Sequence, residues 1–217
     1  MARLPTEAAA PEHLPLPDVR QLDQMPSWPV WVVSRIESMK DACQPSGADR
    51  RYRTVPTLPS NLILYPPERA EIERHVAALE TLCEQTPQAN ADWEEATLVV
   101  VTELMLAVPS AQQNERGAEA SGEAFMTALE DVPTWAVAAA ARRWYRGDCG
   151  NNEHGHPYDY RWRPATADLR RIALTEKFRV YRRVTILRRL LAAEPEVFSE
   201  EHCWRMRARL ASVIMVG

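Results

Sequence analysis

Cys149, His154, His156 and Asp159 fall within eleven residues, in the run DCGNNEHGHPYDY (148–160). Thiolate, imidazole and carboxylate are the groups that bind zinc, which takes four such ligands in a tetrahedron. The spacing Cys-x4-His-x-His is that of neither a zinc knuckle nor a helix face. The run therefore reads first as a polar surface loop with solvated histidines, and a metal-dependent enzyme built on residues 148–159 is the alternative. A nucleophilic cysteine or serine would need a nucleophile elbow or a comparable context, and neither that nor HExxH occurs. Seven glycines form no GxxxxGK[ST] and no GxGxxG, which excludes an ATPase, a kinase and a dinucleotide enzyme. Adjacent carboxylates such as Glu94 and Glu95 read as helix-start charges. The expectation is a protein without catalytic residues, resident metal or cofactor.

A second constellation is basic and aromatic. Arg142, Arg143 and Arg146 end one segment, Arg161 and Arg163 lie in the loop after it, and Arg170, Arg171, Lys177, Arg179, Arg182, Arg183, Arg188 and Arg189 follow. Trp144, Tyr145, Tyr158, Tyr160 and Trp162 are interleaved with them. Phosphate binding needs several cations on one surface, and single-strand binding adds aromatic rings on which bases stack. On this reading the nucleic-acid contacts are Arg142, Arg143, Tyr158, Tyr160, Arg161, Arg163, Arg170 and Arg171. The competing reading is a solvated arginine face on an amphipathic helix, with Arg142 and Arg143 also complementing a helix C-terminus.

Net charge is −4 over 217 residues, but its distribution is uneven. Residues 1–130 carry 10 basic against 20 acidic side chains, and residues 131–217 carry 16 against 10. Such a split serves either two partners of opposite charge or complementarity within the chain. Four scattered cysteines without CxxC, no secretory leader and no run of eighteen apolar residues point to a cytoplasmic protein that neither crosses a membrane nor relies on disulfides.

The elements that must position these residues are helical. Residues 1–26 carry five prolines and read as a disordered or extended arm. Residues 27–66 read as a short helix followed by a Pro-rich linker packing on the core, with NLILY as an apolar plug. Residues 67–217 form the helical domain. Within it, 67–85 has the stripe Ile72, Val76, Leu79 and Cys83. Residues 91–108 are apolar nearly all round from Leu98 to Leu106, the pattern of a buried central helix. Residues 111–130, an alanine-rich 133–147, a long 167–194 capped by Thr166, and a last helix from Ser199 to near Val213 complete the set. The fold class is all-α: about six helices in an irregular bundle with an extended N-terminal arm.

The run ALEDVPTWAVAAAARRWYRG followed by YRWRPATADLRRIA (128–173) resembles helical modules of phage and prophage replication proteins, in particular replicative-helicase loaders. The elements that carry the resemblance are Leu129, Asp131, Pro133 and Trp144, then Trp162, Pro164, Thr166, Asp168 and Leu169. The resemblance implies a non-enzymatic adaptor whose partner is a replicative helicase or another replication protein, with DNA as a further ligand. The arm here is N-terminal, whereas several loaders hold the helicase with a C-terminal segment, so no partner-binding residue is carried over. A helical DNA-binding regulator of phage origin is the alternative, although a 17-residue loop (148–164) is too long for a helix-turn-helix.

Overall fold

The computed structural model describes residues 13–25, 27–46, 51–109 and 115–196. The helix expected from Ser199 lies outside them. The described elements are α1 (Val30–Ser38), β1 (Lys40–Ser46), β2 (Arg51–Leu58), α2 (Pro66–Glu84), α3 (Trp93–Ala107), α4 (Glu115–Leu129), α5 (Thr134–Arg146), α6 (Thr166–Leu191) and β3 (Glu194–Pro195). The chain is therefore largely helical, but not purely so. The linker expected over 41–66 is in fact an antiparallel hairpin, with Lys40 opposite Thr57 and Ala42 opposite Val55. β3 adds to β2 in parallel through Thr57 and Leu58. The two prolines in the ribbon, Pro45 and Pro56, lie outside the short stretch where β2 has neighbours on both sides. That is where a strand tolerates a missing N–H donor.

α5 and α6 are the centre of the molecule. Ala136, Ala139, Ala140 and Ala141 give α5 a small-residue face that is fully buried. Small side chains let α6 and α3 approach closely on either side of it. α6 spans 26 residues, or about 39 Å at 1.5 Å per residue. It contributes Leu169, Ile172, Ala173, Val180, Val184, Leu187 and Leu190 to the core. α2, which packs against α6, buries Ile72, Val76, Leu79 and Leu82; the first three are as its sequence predicts, while Cys83, the fourth residue of the expected stripe, is only partly buried.

The structure differs from the expectations in three further places. The N-terminal arm is placed on the core over residues 13–25: Leu14 and Leu22 are buried, and a short 3-10 turn at Val19–Gln24 lies against α5. Among the described residues, the helix expected to be buried and central, α3, is covered on one side only. Thr97, Val101 and Leu104 face α4 and α5, while Leu98, Val99 and Leu106 are 46%, 52% and 82% exposed. Apolar residues all around a helix do not by themselves decide how many of its sides are covered. The start of α6 also differs in detail. Ala165 occupies the N-cap position without a side-chain bond, and Thr166 is the first helical residue.

Candidate nucleic-acid interface

The loop between α5 and α6 is a self-bonded unit. Asn152 organises it: its Oδ1 accepts from the N–H groups of His154 (2.9 Å) and His156 (3.0 Å), and its own N–H donates to the His156 carbonyl at 2.7 Å. A bridge between Asn151 and Pro157 closes the turn. The imidazoles of His154 and His156 and the carboxylate of Asp159 are on the exposed side. Cys149 is partly buried, and its N–H donates to Tyr160 Oη at 2.9 Å. Burial, chiefly, pushes the Cys149 thiol up to about 11, so at neutral pH it is a thiol and not the thiolate that metals and nucleophilic chemistry require. The four candidate ligands do not converge. Among the described residues no three His, Cys, Asp or Glu side chains are grouped to hold an ion.

The aromatic residues of the same loop form a small core. Trp144, on α5, meets the rings of Tyr158 and Tyr160 edge-on, at 5.3 Å and 5.0 Å between centroids. Its indole N–H donates to the Trp162 carbonyl at 3.1 Å. Edge-to-face packing of this kind fixes the loop on the helix. Tyr158 is buried and Tyr160 half-buried in this cluster, which limits the ring surface left for a base to stack on. Trp162 is 52% exposed, with its backbone held in place.

The arginines named for phosphate contact have partners within the chain. Arg142 Nε donates to Asp23 at 2.8 Å, and Arg146 pairs with the same carboxylate. Arg143 bridges Glu176 (2.7 Å) and Asp148 (3.2 Å). Arg179 also pairs with Glu176, at 2.8 Å, and Arg146 also pairs with Asp148. These seven side chains make one continuous ionic chain joining the 3-10 turn, α5, the loop and α6. Asp23 and Glu176 are buried at its centre. Burial alone would raise the Asp23 carboxyl, but hydrogen bonds from Arg142 and Arg146 outweigh it and hold the group below its ordinary value.

The remaining candidates have local duties. Arg161 is paired side-on with Asp159 at 2.8 Å. The Arg163 N–H donates to the Pro109 carbonyl, and its guanidinium reaches the Met105 carbonyl near the end of α3. Arg170 clamps Asp131 and donates to the Ala128 carbonyl at 2.6 Å, tying α4 and the start of α5 to α6. Arg171 bonds Asp168, lies 3.7 Å from Glu153, and stands over the Tyr158 ring at 5.7 Å. The eight residues therefore lie around one end of α5 and α6, but most of their charge is directed inward.

Two surfaces that residue types alone did not single out carry more. One is the open side of α3. The other is a groove of about 420 Å³ between the segment preceding α1 and the exposed side of α6, walled by Arg179, Arg182 and Arg183 and floored by Met25, Trp28 and Ile186. Arg183 is half-buried with its guanidinium 4.9 Å from the Trp28 ring centroid, so it is not the solvated residue that helical periodicity assigns. Comparison with protein-family models, curated proteins and solved structures finds no match.

Proposed function

We propose that this chain is a non-catalytic helical adaptor of phage-type DNA replication, of the helicase-loader kind, which binds a replicative helicase or another replication protein through the open side of α3. The observation that carries this reading is the exposed apolar stripe Leu98, Val99 and Leu106. Isolated exposed apolar residues need no explanation, but several that recur on one side of a helix mark a candidate binding face; the exposed Thr102 and Glu103 lie between Val99 and Leu106 on it. The stripe is extended sideways. Glu103 is close enough to Tyr145 to help burial raise its phenol, and Tyr145 is itself exposed. Arg163 anchors the backbone beside Trp162 to the C-terminal end of α3, bringing a second exposed aromatic to that end. Aromatic anchors within an apolar patch are what protein interfaces concentrate. Glu94, Glu95 and Glu103 make this side of the helix acidic, which suits a partner that combines basic and apolar residues.

The test is affinity capture from the host with the full chain, comparing the unaltered protein with Leu106→Glu. Leu106 is 82% exposed, so the substitution leaves the fold intact. A replication protein captured by the unaltered chain and lost with Leu106→Glu is the expected result. Capture of no replication protein by the unaltered chain, or equal capture by both, removes the reading.

A further inference from the structure

We infer that the open side of α3 receives a basic amphipathic helix, presented by the protein partner. This rests on the reading of that side as the partner-binding surface, and it names the element that fills it.

The spacing of the face is that of a helix seam. Glu95, Val99, Thr102 and Leu106 are all exposed and stand at i, i+4, i+7 and i+11. That is the heptad interval at which the side chains of one helix meet a second helix lying along it. Leu98 and Glu103, also exposed, flank the line. The buried residues Thr97, Val101 and Leu104 are on the other side of α3. From Glu95 to Leu106 the line runs for about 17 Å, the length of about eleven helical residues. A second helix fits along it because its own side chains enter the spaces between Val99, Thr102 and Leu106. An added strand needs an edge of free backbone donors and acceptors, which the interior of a helix does not offer. Thr102, polar between two apolar residues, sets the register of the incoming helix, as a single polar position in a seam does.

The charge of the face selects the polar residues of that helix. α3 contains three glutamates and no lysine or arginine. None of the three makes an ion pair with a described residue. By contrast, Asp23, Asp148 and Glu176 at the junction of α5 and α6 are each answered by an arginine. The α3 carboxylates are therefore left for a partner, and lysines or arginines beside an apolar seam complement them. Exposed Tyr145 lies near Glu103, and exposed Trp162 lies near the end of α3. Both give long basic side chains an aromatic surface to lie on. A second copy of this chain is the poorer occupant. Two α3 faces set together would gather the glutamates of both helices with no cation from either.

The test uses the full chain and three fluorescein-labelled peptides of about 18 residues each. The first has leucine along a heptad seam and lysine around it. The second has glutamate in place of every lysine. The third keeps the composition of the first in an order that breaks the heptad interval. Anisotropy follows binding up to about 100 μM peptide. The first peptide binds, and the other two bind at least about tenfold more weakly. Leu106→Ser, a neutral change at a residue 82% exposed, weakens the first peptide about tenfold. Glu95→Lys combined with Glu103→Lys reverses the preference, so that the glutamate peptide binds better than the lysine peptide. The inference is overturned if the first peptide does not bind, if the third binds as well as the first, or if Leu106→Ser changes nothing. It is also overturned if sedimentation finds a dimer that Leu106→Ser dissociates, because a second copy then covers α3. Circular dichroism of each variant confirms that the fold is retained. Host capture with Leu106→Glu is read separately. A replication protein captured through α3 without peptide binding removes the helical occupant and leaves the adaptor reading. Peptide binding without such capture removes the replication partner and leaves the helical occupant.

Discussion

His75 is a sensor of how the N-terminal segment is held. It is 1% exposed, on the side of α2 covered by the segment around Pro15. Its Nδ1 lies 2.8 Å from the Pro15 carbonyl. A carbonyl only accepts, so Nδ1 carries the proton and Nε2 is a buried lone pair without a partner. Protonation would put a second cation in the interior beside Arg183. Burial and that neighbouring charge, in that order, bring the imidazole from 6.5 down to about 4. The sign follows from which state binds the proton. Between these two values the unfolded chain takes up a proton that the folded chain refuses, so stability is unaffected above pH 6.5 and declines as the pH falls towards 4. At 1.36 kcal/mol for each tenfold change in proton affinity, the full loss is ~3 kcal/mol. About 1 kcal/mol is lost by pH 5.5 and between about 2 and 3 kcal/mol by pH 4.5.

The assay is urea denaturation followed by tryptophan fluorescence at pH 7.5, 6.5, 5.5 and 4.5, for the unaltered chain and for His75→Gln. Glutamine can still donate to the Pro15 carbonyl but does not titrate in this range. Carboxylates that titrate near pH 4 are common to both proteins and cancel in the difference. The difference between the two proteins should move by ~3 kcal/mol in favour of His75→Gln as the pH falls. A difference that stays flat with pH, or an imidazole resonance that titrates near 6.5 in the folded protein, refutes the burial argument and with it the docking of residues 13–16 on α2.

Two further substitutions probe the ends of α5. Asp23→Asn removes the charge that Arg142 and Arg146 share. The Asp23 side chain is 2% exposed, but both arginines are about a third exposed and can rehydrate, so the cost is about 2 kcal/mol and not the 3–5 of a fully buried pair. Because the Asp23 carboxyl is held below its ordinary 3.8, this contribution is present at neutral pH and is lost only as the pH falls below 3.8 through the folded value. Equilibrium denaturation at pH 7 measures it, and a cost under about 0.5 kcal/mol would show that the clamp is ornamental. Gly147→Ala places a side chain at φ 71°, in the left-handed region, with its Cβ 3.4 Å from the Tyr160 ring. The expected loss is ~1 kcal/mol in the same experiment, and an unchanged midpoint would contradict it.

The parts of this fold that the sequence discloses are those decided by neighbours three or four residues away. The α2 stripe, the alanine face of α5 and the core positions of α6 are periodic within their own helices, and they are buried as that period requires. The hairpin is decided otherwise. Pro45 and Pro56 interrupt any alternating pattern, and the ladder that forms regardless depends on which residues stand opposite one another across the turn. The covering of α3 depends on other elements, so an all-round apolar helix was compatible with both a buried and a half-open position. The basic constellation was least legible. Asp23 and Arg142 are 119 residues apart, and Arg143 and Glu176 are 33 apart. Nothing in local spacing reveals that these charges answer each other.

That pairing also decides between the two meanings of the uneven charge. Arg142 and Arg146 meet Asp23, Arg188 meets Glu80, and Arg189 meets Asp41 at the sheet. In each case a cation of the basic half meets an acid of the acidic half, so much of the split is complementarity within the chain. A count of basic residues therefore overstates the charge available to a phosphate, and the useful quantity is what remains after internal pairing. By that measure the loop of residues 148–164 contributes little: Arg161 is paired, Arg163 supports α3, and the tyrosines are packed against Trp144. About five helical turns further along, α6 carries Arg182, an exposed cation that makes no ion pair with a described residue. There the same helix that closes the core with Val180 and Val184 turns its other side to the Trp28 groove. Interior and groove-facing positions are thus interleaved on consecutive residues of one rigid element, which fixes the groove's side chains with the accuracy of the core itself.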